Sequence, residues 1–74
     1  MLSYEECKEI AVNKASGYNV TISKAYTLGD AYVFETDVEF TGAFPLVVDK
    51  NGATYGLWHY LNEKDLTMDD MSEL

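Results

Sequence analysis

The stretch from Ala31 to Phe40, AYVFETDVEF, restricts the fold more than any other part of the chain. Tyr32, Phe34, Val38 and Phe40 share one parity, and Glu35, Asp37 and Glu39 share the other. As a strand it turns an aromatic face to a core and an acidic face to water. A helix would scatter the same aromatics around its axis. A strand face this bulky requires antiparallel neighbours and a covering element.

The flanking sequence supplies both. Ser3 and Glu6 form a capping box for a helix over about Tyr4 to Ser16, with Leu2 positioned to staple onto Cys7. Tyr4, Cys7, Ile10 and Ala11 make its inward stripe, with Phe34, Val38 and Phe40 expected beneath Cys7, Ile10 and Ala11, and Gly17 offers a stop that tolerates positive φ. Tyr18, Val20 and Ile22 alternate with polar residues, which predicts a first strand over about Tyr18 to Tyr26. Leu28, Gly29 and Asp30 then join it to the acidic-faced strand as a hairpin. Thr41 to Ala43 turn into a third strand, FPLVV, where Pro45 suits a strand start, an edge or a bulge. Asp49 to Gly52 make a second hairpin turn, followed by a fourth strand over about Ala53 to Tyr60. Tyr55, Leu57 and His59 fall on one face of that strand and Trp58 and Tyr60 on the other. Near the end, Thr67 and Asp70 cap a short helix that brings Met71 and Leu74 to the body. The expected fold is a single α+β domain: an N-terminal helix packed on a four-stranded antiparallel β-meander, with a short C-terminal helix, in two layers.

With 74 residues there is room for one core only. A chain this small buries only about 60% of its unfolded surface, so folding is marginal and a homodimer is expected. Thirteen acids against five lysines give a net charge of −8. That surface repels nucleic-acid backbone and anionic lipid, and it suits a basic protein partner. A single cysteine makes no internal disulfide, and MLSYEECKEIAV has acids where a signal peptide has a basic region. The expected location is cytoplasmic, without a membrane span.

Residues that could carry chemistry are few. Cys7 and His59 are the one thiol–imidazole pair, but Cys7 falls on the inward helix stripe among glutamates, which raise a thiol pKa. Glu35, Asp37 and Glu39 stand about 7 Å apart in succession along a strand, a spacing seen between glycosidase carboxylates, but no groove is indicated. Asp49, Asn51 and Gly52 match only the opening of a calcium loop. No catalytic, metal-binding or cofactor-binding set is expected. The candidate interaction surface is Glu35, Asp37 and Glu39 with Tyr55, Leu57, Trp58 and His59.

The opening LSYEECKEIAVNKASGYNVTISKAY, the strand AYVFETDVEF and the VDKNG turn together resemble the PepSY domain family over residues 2–56, while GLWHYLNE departs from its pattern. The resemblance implies a helix on a short antiparallel sheet and a non-enzymatic role beside peptidases; it transfers no catalytic residue. The expected function is a small non-enzymatic interaction or structural module. Two alternatives remain: an acidic phage-type inhibitor that mimics nucleic acid, and a small ligand-binding protein or minimal enzyme built on the aromatic face around His59.

Overall fold

The computed structural model describes residues 1–37 and 45–74. Helix α1 (Tyr4–Gly17) is followed by strands β1 (Ile22–Leu28), β2 (Ala31–Thr36), β3 (Leu46–Asp49) and β4 (Thr54–Gly56), then helix α2 (Leu57–Lys64). A single 3₁₀ turn (Met68–Asp70) leads into β5 (Met71–Glu73). The described strands form one antiparallel sheet in the order β4-β3-β2-β1-β5.

Helix α1 starts as its sequence predicts. Glu6 N–H donates to Ser3 Oγ at 3.2 Å, and Ser3 N–H donates to Glu6 Oε1 at 2.9 Å. Together these satisfy two of the donors that a helix N-terminus leaves open. The other end differs from expectation. Gly17 stays helical, and the positive φ falls on Asn19 at 59°. Asn19 N–H reaches Ser16 O at 3.2 Å and Val20 N–H reaches Ala15 O at 3.1 Å, the paired bonds of a Schellman motif. That motif occupies Tyr18 to Val20, so β1 begins at Ile22 rather than Tyr18. At its far end β1 runs on to Leu28, because the hairpin loop is only Gly29 and Asp30 and Leu28 pairs with Ala31. Gly29 takes a φ of +58°, the positive value that the first position of such a two-residue loop demands.

Phe34 sits beneath α1 as expected, fully buried in one cluster with Cys7, Ala11, Ala15, Leu46 and Val48. Ile10 and Leu2 pack against the same cluster. Tyr4 lies edge-on to Tyr32 at 5.2 Å and stacked on Phe34 at 6.0 Å between ring centres. The expected partners Val38 and Phe40 lie outside the described residues.

The other sheet face corrects the two-layer expectation. Ala31 and Val33, on the parity of the acids, are buried with Leu28 and Val47 beneath Leu57, Tyr60 and Leu61 of α2. A helix thus covers each face. The fourth strand stops at Gly56 because Leu57, Tyr60 and Leu61 have the i, i+3, i+4 spacing of a helical stripe, and a helix buries all three on one side. Leu57 N–H, an open donor at this helix start, is accepted by Pro45 O at 3.2 Å. Helix α2 ends as α1 does: Asp65 adopts φ 55° and Leu66 N–H returns to Leu61 O at 2.9 Å.

The sheet has five strands among the described residues, not four, and its order is not a simple meander. The Thr67–Asp70 capping box forms as expected, yet it closes one 3₁₀ turn, after which the chain pairs with β1. Strands β4 and β5 run in the same direction at opposite edges, so the intervening chain must cross one face, and α2 is that crossing.

Candidate functional site

The residues expected to share one interaction surface divide into two places. Glu35 lies in β2 on the α2 side, where its Oε1 accepts from Tyr26 Oη at 2.9 Å. That bond is the largest cause of a raised Tyr26 pKa, since it favours the neutral phenol. Asp37 lies just past β2; its N–H donates to Thr21 O at 3.0 Å and its Oδ1 accepts from Thr21 N–H at 3.4 Å. Both carboxylates hold the β1–β2 pair together at its open end. Glu39 lies outside the described residues.

The second place is the start of α2. Leu57 is buried in the core and presents nothing to a partner, which corrects its inclusion in the surface. The strand face of Tyr55, Leu57 and His59 does not exist as such, because the last two belong to a helix. Tyr55, in β4, and His59, in α2, nonetheless come together, with rings stacked at 6.4 Å and 16°. His59 Nε2 lies 2.8 Å from Glu63 Oε2, one helical turn on, and its side chain is 70% exposed. A histidine so open to water is a surface group rather than the base of an enclosed site. Trp58 points outward and is 66% exposed.

Asp49, expected in a hairpin turn that matches the opening of a calcium loop, organises this corner of the fold. Its Oδ1 accepts from Asn51 N–H and Ala53 N–H, each at 2.9 Å, and its Oδ2 accepts from Tyr55 Oη at 3.3 Å. The signal for it was the Asp-x-Asn-Gly run, in which an aspartate carboxylate caps the turn that follows. Burial pushes the Tyr55 phenol up, with the Asp49 charge and hydrogen bond adding. The Asp49 carbonyl lies 3.6 Å from Cys7 Sγ. Cys7 is fully buried, and burial pushes its thiol up, with Asp49 and Glu6 adding. Such a thiol is core, as its place on the helix stripe implied.

Among the described residues there is no group of three or more histidine, cysteine, aspartate or glutamate side chains placed to hold a metal ion. Nor is any described helix long and apolar enough to cross a membrane. Comparison with protein-family models, curated proteins and solved structures gives no match, so the PepSY resemblance rests on the residues that suggested it.

Proposed function

We propose that the protein is a small non-enzymatic interaction module that self-associates, with the outer face at the start of α2 as its contact surface. The observation that carries this reading is Trp58: an indole 66% exposed, one residue from the Tyr55–His59 stack. Tryptophan is enriched among the residues that carry most of the binding energy at protein interfaces. Leu57, Tyr60 and Leu61 anchor the same helix in the core, so Trp58 is presented on a fixed support. A non-enzymatic role is also what the PepSY resemblance implies.

Trp58 is the one tryptophan in the chain, so it reports its own surroundings. Sedimentation over a micromolar dilution series is expected to show a dimer, with indole emission moving to the blue as concentration rises. Trp58→Ala is expected to sediment as the 8.3 kDa monomer with its helical signal intact. A wild type that stays monomeric throughout, with unchanged emission, would refute self-association through this face.

A further inference from the structure

At one corner of the sheet the Gly29–Asp30 loop, the turn at Asp49 and the end of α2 surround a cavity of about 390 Å³. Its lining includes Asp30, Asp49, Lys50, Tyr60, Lys64 and Leu66. The volume is of the order of small-molecule sites, which start near 300 Å³. Tyr60 is only 5% exposed, and its hydroxyl makes no hydrogen bond to a described residue. No described side-chain oxygen is both sealed from solvent and without a partner, so the Tyr60 hydroxyl keeps contact with solvent, and Tyr60 is among the residues that line the cavity. The ring is buried while the hydroxyl stays free to bond a group that approaches from outside.

The charges around it are divided. Burial, followed by the Asp49 and Asp30 carboxylates, pushes the Tyr60 phenol up. The Asp49 oxygens are already held by the turn and Tyr55. Asp30, Lys50 and Lys64 make no ion pair, the one pair among the described residues being His59 with Glu63. Lys64 Nζ stands 5.9 Å from the centre of the Tyr60 ring, at cation–π range. An anion alone would face the two aspartates, and a cation alone would face the two ammonium groups.

We propose that this cavity binds a free amino acid as its zwitterion, its ammonium donating to Asp30 and the Tyr60 oxygen and its carboxylate accepting from Lys50 and Lys64. The site shares no residue with the Trp58 face, so the two readings stand or fall separately.

The test is titration of the full chain, followed by amide NMR, with each of the standard L-amino acids in turn at up to millimolar concentration. Propionate and propylamine serve as probes that carry one charge only. The expected result is saturable shifts at Gly29, Asp30, Lys50, Asn51 and Lys64 for at least one amino acid. Propionate and propylamine should each bind about tenfold more weakly or worse, having lost one charged hydrogen-bonding end. Tyr60→Phe, which keeps the buried ring, and Lys64→Gln should each weaken binding several-fold while the thermal midpoint of Lys64→Gln stays at the wild-type value. Absence of saturable shifts with every amino acid overturns the proposal, as does propionate or propylamine binding as tightly as the zwitterion. Shifts that map to another surface also overturn it.

Discussion

Asn19 and Asp65 carry the same conformational burden at the ends of the two helices. Each holds positive φ, near 60°, without being glycine. The left-handed region costs an L-residue roughly 1 kcal/mol, less for asparagine and aspartate than for others. Asn19→Gly and Asp65→Gly are therefore expected to raise stability by up to about 1 kcal/mol each in urea unfolding, an effect close to additive because the sites end helices that cover opposite faces of the sheet. Gly29→Ala should act in the opposite direction by about 1 kcal/mol or more, since alanine must adopt the loop's φ of +58°. At Ser3, replacement by alanine removes one half of the capping box and should cost about 1 kcal/mol.

At the scale of elements, α2 is where reading and structure part. Residues 55 to 60 alternate bulky side chains and also place Leu57, Tyr60 and Leu61 on a helical stripe, so two periods fit the same letters. What decides between them is the uncovered Ala31, Val33 and Val47 face of the sheet, which only a helix crossing it can bury, and nothing local records that need. Strand β5 was illegible for a similar reason: three residues have too little pattern to announce a partner as distant as β1. By contrast the Ser3–Glu6 cap, the Gly29–Asp30 hairpin and the Phe34 contact with Cys7 and Ala11 depend on neighbours in sequence or on a strong alternation, and these could be read. Of the residues expected at an interaction surface, the exposure of Trp58 and His59 agrees with that placement, whereas Leu57 is core because it falls on the buried stripe of α2. Paired substitutions test the helix. Tyr60→Ala should cost about 3–5 kcal/mol as a core truncation, and Trp58→Ala should change monomer stability by no more than about 0.5 kcal/mol. A strand in this position would put Tyr60 and Trp58 on one face and make their truncations similar.

For the whole molecule, shifted groups make stability depend on pH at both ends of the range. The Ser3 backbone N–H, then its hydroxyl, hold the Glu6 carboxyl below its usual range. The unfolded chain therefore takes up this proton first, and the cap's contribution is present above the ordinary carboxylate pKa and lost as pH falls through the lowered folded value. At the alkaline end Cys7, Tyr26, Tyr55 and Tyr60 are all raised in the folded state. Their contribution is complete below the ordinary thiol and phenol values and is lost as pH climbs through the raised ones. Thermal midpoints should be broadly level between about pH 5 and pH 8 and should fall on both sides. Tyr26→Phe should shallow the alkaline fall by removing the phenol that Glu35 holds neutral, and an unchanged slope would show that this hydrogen bond does not survive in solution.

Strand β1 lies between two neighbours that differ in how they are secured. On one side is β2, joined to it through a two-residue loop; on the other is β5, whose Ser72 carbonyl meets Thr27 Oγ1 across 45 positions of sequence. Ala25 O accepts from Leu74 N–H, so Ala25 and Thr27 turn their backbone groups toward β5 while Tyr26 and Leu28 turn theirs toward β2. The short, distant partner should detach in local openings that leave the hairpin closed. In heavy water, deuterium should then enter β1 on alternate residues, Ala25 and Thr27 labelling well before Tyr26 and Leu28, so that one strand keeps two clocks.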